Sequence, residues 1–179
     1  MTKAKIGLGS LKIPLKGWKY FLVYGGPYRD IPFNMYGVKM AEEIHTPCMV
    51  DIPTRDFQTP NVKTLSKGLE KAVTLLLEGK PLYIGCMGGK GRTGLFLAVL
   101  AKAFGVKDPV AYVRANYYHH AVETQDQKLF VENFVPSNLV VAAIERARRR
   151  SWIKFWKTNL TQPQKMWQDT SSFLPVEKN

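Results

Sequence analysis

The sequence predicts a single α/β domain: a three-layer sandwich with a central, mostly parallel sheet flanked by helices. Three observations carry that expectation. Short apolar runs rich in β-branched and aromatic residues alternate with longer stretches whose apolar residues recur every three or four positions. One strand-like run leads into a glycine-rich loop and then a helical run, the order that aims a ring of backbone N–H groups at an anion. The length of 179 residues, with 45% hydrophobic and 22% charged, suits one domain with a substantial core rather than two.

Taken in order, Lys19 to Tyr24 (KYFLVY) reads as a strand closed by a turn at Gly25-Gly26-Pro27. Val38 to Ile44 reads as a weak, short helix. Pro47 to Ile52 (PCMVDI) is a compact apolar run, a buried strand, and a polar loop follows from Pro53 to Pro60. From Asn61 to Gly79, Leu65, Leu69, Ala72, Val73 and Leu76 mark an amphipathic helix, and Gly79 suits its left-handed C-terminal position. Pro81 to Gly85 is a short strand, Cys86 to Gly94 a loop, and Leu95 to Phe104 a helix stopped by Gly105. Asp108-Pro109 is a cap and first-turn pair opening a helix towards Tyr117. Thr124 to Gln127 has capping-box spacing and starts a helix through Phe134. Pro136-Ser137 opens a last long helix to about Trp156.

Composition narrows the chemistry. No apolar run approaches the ~20 residues of a membrane-spanning helix. Gly7 to Lys16 lacks the apolar stretch and small-residue cleavage site of a secretory signal, so a cytoplasmic location is expected. Two cysteines, Cys48 and Cys86, do not make a disulfide framework. His45-x-x-Cys48 has no second ligand pair to complete a zinc site, and no metal or other cofactor is expected. The net charge of +12 attracts anions in general: phosphorylated substrates, nucleic acid or acidic lipid.

The chemistry concentrates in Cys86-Met87-Gly88-Gly89-Lys90-Gly91-Arg92-Thr93-Gly94. A thiolate at a helix N-terminus amid positive charge has a depressed pKa and is a ready nucleophile. Glycines 88, 89 and 91 let the backbone fold tightly and expose its amides. Arg92 can return over the loop and grip two phosphate oxygens as a fork. The Thr93 hydroxyl can stabilise the thiolate or the departing sulfur. A nucleotide-type phosphate loop fails on spacing, because Gly91-Arg92 separates Lys90 from Thr93.

This run resembles the signature HCxxGxxR(S/T)G of the protein tyrosine and dual-specificity phosphatase family. Two further segments add to the resemblance. Ile52-Pro-Thr-Arg-Asp56-Phe-Gln-Thr-Pro60 is similar to the family's general-acid loop, and Ala121-Val-Glu-Thr-Gln-Asp-Gln127-Lys-Leu-Phe130-Val to its downstream "aVETxxQxxFv" segment. The resemblance covers roughly Cys48 to Phe134. It implies a phosphatase domain over 1–160, with 161–179 a polar, loosely ordered tail. It also implies a phosphocysteine on Cys86, a phosphate cradle from Met87 to Arg92, and Asp56 as the acid for the leaving oxygen. Asp51 competes with Asp56 for that part, but it lies within a strand-like run. Gln127 is implied to orient the attacking water, although its place in the capping box gives it a structural alternative. Glu123 either pairs with Arg92 or simply favours a helix N-terminus. The family carries His where this chain has Gly85, and commonly Ala at Gly88. Lys90 resembles a lysine of phosphoinositide-directed members, so protein, lipid and RNA 5′-phosphates all stand as substrate classes. His119 and His120 either border the pocket or are plain loop residues.

The last helix ends in Glu145-Arg-Ala-Arg-Arg-Arg150-Ser-Trp-Ile-Lys-Phe-Trp156-Lys157. Val140, Val141, Ile144, Ala147, Trp152 and Phe155 form its expected docking stripe. Arg146, Arg149, Arg150, Lys154 and Lys157 then face outward, either solvated or as a contact surface for nucleic acid or an acidic membrane.

Overall fold

Strand β5 (Leu82–Cys86) is the spine of the fold, and all five of its residues are buried. In the computed structural model, which describes residues 7–16 and 18–160 and the side chains up to Ser151, β5 lies at the centre of a five-stranded sheet. The strands order as β1 (Gly9–Lys16), β2 (Lys19–Pro27), β5, β3 (Tyr36–Ala41) and β4 (Val50–Thr54). Only the β1–β2 hairpin is antiparallel; β2, β3, β4 and β5 run parallel. The C-terminal ends of the parallel strands therefore gather at one edge, where ligands of such sheets bind.

The predicted mostly parallel sheet is present, and its two faces are covered unequally. Register puts Gly37, Lys39, Tyr83, Gly85 and Asp51 on one face and Val38, Val50, Ile52 and Ile84 on the other. On the first face lies a 3-10 turn, Tyr28–Asp30, pressed so close that a Cβ on Gly37 would strike Tyr28 Oη and one on Gly85 would lie 2.7 Å from Tyr28 Cα. On the second face lies α1 (Val62–Leu77), whose Gly68 sits over Ile52 and Val50.

Helix α1 forms as its periodicity requires. Leu65, Leu69, Ala72, Val73 and Leu76 are buried, and Asn61 Oδ1 accepts from the N–H groups of Lys63 and Thr64. Gly79 closes it at φ +77°. Helix α2 (Gly91–Ala103) is different in kind: every residue from Gly91 to Ala101 is buried. A helix apolar all round lies inside a core, and α2 is packed by α3 (Pro109–Asn116) and α4 (Gln125–Asn133). Asp108 caps α3 through Ala111 N–H, and Thr124 caps α4 through Gln127 N–H. Helix α5 (Asn138–Leu160) returns across α1 and β1.

Several boundaries differ from expectation. Val38–Ile44 is not a helix; its first half is β3, and Lys39, at 5% exposure, is held by Asp51 at 3.3 Å and the Thr46 carbonyl at 3.3 Å. A buried, paired lysine gave the run its false amphipathic look. Strand β2 runs on through Gly25-Gly26-Pro27 instead of turning there, because Pro27 sits at its end, where its missing N–H costs no ladder bond. The strand expected at Pro47–Ile52 is shifted to Val50–Thr54. Arg92 and Thr93, expected in a loop, stand on the first turn of α2. In α5, Val140 and Ile144 are buried as expected, but Val141 is 44% exposed. The Trp152 and Phe155 side chains, and the polar tail at 161–179, lie outside the described residues.

Replacing Leu69 by Ala empties a fully buried site and is expected to cost about 2–5 kcal/mol. Leu129→Ala, on the 44% exposed face of α4, stays within about 0.5 kcal/mol. Urea midpoints of the two variants check the contrast.

Candidate active site

Only Met87 to Lys90 separate the end of β5 from the start of α2, so the chain must turn back within four residues. Gly89 takes φ +73°, and a Cβ there would strike the Gly26 backbone. In that conformation its N–H points at Cys86 Sγ, 3.2 Å away. The Thr93 hydroxyl donates to the same sulfur at 3.2 Å. Cys86 itself is 3% exposed, at the mouth of a helix N-terminus that favours negative charge. A Cβ on Gly88 would meet nothing within 4 Å, so an alanine fits there without loss.

Arg92 is buried, and its guanidinium gathers three chain segments. Nη1 donates to Glu43 Oε2 at 2.8 Å and to the Thr54 carbonyl at 2.8 Å. Nη2 donates to Glu43 Oε1 at 2.7 Å and lies 3.0 Å from Asp56 Oδ1. Nε is a buried donor with no partner among the described residues, which marks room for an acceptor beside the loop. Burial works against the Arg92 cation, but the Glu43 hydrogen bonds and the negative charges of Cys86, Glu43 and Asp56 outweigh it and raise its pKa. The same hydrogen bonds hold the Glu43 carboxyl below its ordinary range.

Asp56 is thus brought to the loop, in an exposed turn where its Oδ1 also accepts from Phe57 N–H and Phe57 takes φ +58°. Asp51 is not: it faces away on β4 and pairs with Lys39. Gln127 is fully buried. Its Oε1 accepts from Glu123 N–H at 3.0 Å and its Nε2 donates to the Gln58 carbonyl at 3.2 Å. With Thr124 Oγ1 donating to the Phe57 carbonyl at 3.3 Å, α4 holds the turn that carries Asp56. Of the two parts open to Glu123, the pair with Arg92 is not formed among the described residues. Glu123 lies instead against Gly91, where any Cβ would strike its carboxylate, and Glu43 takes the place beside Arg92. Lys90 stacks over Tyr118, its Nζ 5.5 Å from the ring centroid. His119 and His120, their rings 4.0 Å apart, line a cleft of about 390 Å³ with Arg114 and Glu123. Met87, at the outer turn of the loop, is 49% exposed.

Two further residues escaped the sequence reading. Tyr117 Oη donates to the Gly89 carbonyl at 2.6 Å, from a slot that a side chain at residue 25 would block and one at residue 9 would crowd. Burial, together with the nearby Tyr83 and Cys86, raises the pKa of its phenol well above the ordinary value. Tyr83 Oη donates to the Pro27 carbonyl at 2.9 Å. At Gly85, where a histidine was the family expectation, the backbone of Tyr28 occupies the space. The one advance signal was the unusual run of glycines at 9, 25, 26 and 85.

Comparison with known proteins places this geometry. Residues 36–147 match the family described as "Swiss Army Knife protein, DSP-PTPase phosphatase domain" (PTP-SAK). The chain belongs to that family. Two uncharacterized proteins of Methanocaldococcus jannaschii are 34% and 36% identical to it, over 49% and 47% of this chain. The matched stretch spans 60% and 53% of their own lengths. Among solved structures, Tk-PTP in its active form has a TM-score of 0.50 at 24% identity, over 69% of this chain and 95% of its own. A kinase-associated phosphatase with its catalytic-site cysteine changed to serine has a TM-score of 0.54 at 14% identity, over 72% and 94%. The dual-specificity phosphatase fold of this PTP-SAK domain is thereby shown.

Glu43 titrates below its ordinary 4.5 in the folded chain, so its stabilisation is complete above that pH and disappears as pH falls through the lower folded value. The gap in thermal midpoint between wild type and Glu43→Gln is therefore expected to be widest near neutrality and to close below pH 4.5. Restoring the family residue with Gly85→His is expected to destabilise the protein, by about 1–3 kcal/mol or more, since backbone must move to admit any side chain. A urea midpoint at or above wild type would contradict this.

Proposed function

We propose that this chain hydrolyses phosphate monoesters of the phosphotyrosine and dual-specificity type through a phosphocysteine on Cys86. The observation that carries the reading is the convergence of a backbone N–H and a threonine hydroxyl on one sulfur, with a buried guanidinium close enough to feel its charge and an Nε that has no partner among the described residues. The amides of Met87 to Arg92 would cradle three phosphate oxygens, and Arg92 would bind through Nε and one Nη once Asp56 gives way. The kinase-associated phosphatase, which shares the fold, has a catalytic-site cysteine, consistent with that part for Cys86.

The Cys86 thiolate attacks phosphorus, forming S–P as the bond to the leaving oxygen breaks. Asp56 supplies the proton that this oxygen needs. Water then attacks the phosphocysteine, Asp56 takes its proton, and the S–P bond breaks to return thiolate and inorganic phosphate. Thr93, already donating to the sulfur, stabilises it as it departs. Gln127 keeps one N–H beyond its bond to Gln58, and that hydrogen is free to orient the water. Nothing in this sequence uses a metal.

A second reading, a phosphate-binding module without turnover, draws on Glu43, which occupies both Nη atoms of Arg92. Phosphoinositide and RNA 5′-phosphate substrates stay within the first reading through Lys90 beside the loop. Wild type is expected to release phosphate from an aryl phosphate in the presence of chelator, and Cys86→Ser to lose at least about a thousandfold. Equal rates would refute the assignment, and phosphate binding without release by wild type would support the module. Asp56→Asn is expected to slow a poor leaving group far more than a good one. A panel of phosphopeptide, phosphoinositide and 5′-phosphorylated RNA then separates the substrate classes.

A further inference from the structure

The positive surplus of this chain is not spread evenly. Residues 1–29 hold six basic residues and no acidic one, residues 145–157 hold six against Glu145 alone, and residues 30–144 hold 12 against 11. The two basic segments, more than a hundred residues apart, meet in the fold. Arg148 of α5 donates from Nε to the Leu15 carbonyl at 2.8 Å, one residue before Lys16 ends the edge strand β1. Arg148 also neutralises Glu145, at 2.6 Å.

Near that bond lie exposed Lys16 and Lys19 at the hairpin turn and exposed Arg146, Arg149 and Arg150 of α5. A cleft of about 480 Å³ between the two elements is lined by Leu15, Phe21, Ala143, Arg146 and Arg150, with Glu78 as its acid. Trp18 in the turn between Lys16 and Lys19 is 74% exposed; Tyr20 at 51% and Leu22 at 38% stand with Lys12 on the face of the hairpin opposite α5, where Lys12 Nζ lies 4.8 Å from the Tyr20 ring centroid. Helix α5 itself runs on to Leu160.

This end is not part of the active site. Strand β2 starts at Lys19 and ends at Pro27, and Pro27 pairs with Cys86. Eight residues of strand, roughly 26 Å, separate the hairpin turn from the nucleophile. We propose that the β1–β2 turn and the Arg146–Arg150 stretch of α5 dock on an anionic lipid surface, leaving the Cys86 loop facing the water. Charge alone would serve nucleic acid equally well. An indole at the tip of a turn, between two lysines, fits a headgroup interface: the ring settles at the carbonyl level while ammonium groups meet phosphates.

The test is cosedimentation of the full chain with phosphatidylcholine vesicles, with and without phosphatidylserine. It is run also on Cys86→Ser, so that failure here is separate from failure of the catalytic reading. Binding is expected only with phosphatidylserine, and to fall by roughly tenfold or more in Lys16→Glu/Lys19→Glu and again in Arg146→Glu/Arg150→Glu. Trp18→Ala should weaken binding while its salt dependence persists, and the Trp18, Lys16/Lys19 and Arg146/Arg150 variants should keep the wild-type thermal midpoint and rate on a soluble aryl phosphate. Indifference to phosphatidylserine would overturn the proposal. So would tighter binding to single-stranded RNA that the charge reversals weaken and Trp18→Ala does not, which would make this end a nucleic-acid surface.

Discussion

One buried guanidinium ties the strand ends together. Taking a cation out of water is tolerable only when its donors are answered. Arg92 is answered by Glu43 just after β3, by the carbonyl of Thr54 at the end of β4, and by Asp56 two residues further on. Because Arg92 stands on the first turn of α2, directly after β5, three strand ends and a helix start converge on a single charge. The residue best placed to bind an anion is thus also the one that organises the crevice around it.

The loop is supported from behind by close packing. The 3-10 turn at Tyr28–Asp30 lies flush on Gly85 and Gly37, and Tyr117 reaches through the glycine slot to the carbonyl of Gly89. A histidine ahead of Cys86 would need the space that Tyr28 fills. The orientation of the Gly89 N–H towards the sulfur is held instead by a phenol whose only route in is past residues without side chains. Gly85 is therefore a packing requirement of this version of the fold, not merely a missing group.

Much of this was legible in the sequence where a pattern is local. Cys86, Arg92 and Thr93 are fixed to one another by six- and seven-residue spacings that cross a single turn, and they meet as the spacing demands. Helix α1 declares itself through five buried residues on one face. What stayed hidden depends on distant partners. Glu43 is 49 residues from Arg92, in a segment whose only local cue was a false helix. Lys39 disguised β3 because burial of a lysine is readable only once Asp51 is beside it. Strand β1, with Pro14 inside it, lacks the outline of a strand; an edge strand tolerates the missing N–H that a central one would not. Tyr117 could be found only by asking what the glycines leave room for.

The two sides of the site rest on supports of very different strength. The sulfur, its cradle and Arg92 belong to α2, which is enclosed along eleven consecutive positions and cannot loosen without dismantling the core. The turn bearing Asp56 is exposed and is held by Gln127, Thr124 and the ion pair to Arg92. Backbone amides of α2 should therefore exchange with solvent only on global unfolding, while those of residues 55–58 exchange through cheap local openings. The Cys86 sulfur waits in a rigid socket, and Asp56 sits on a hinge.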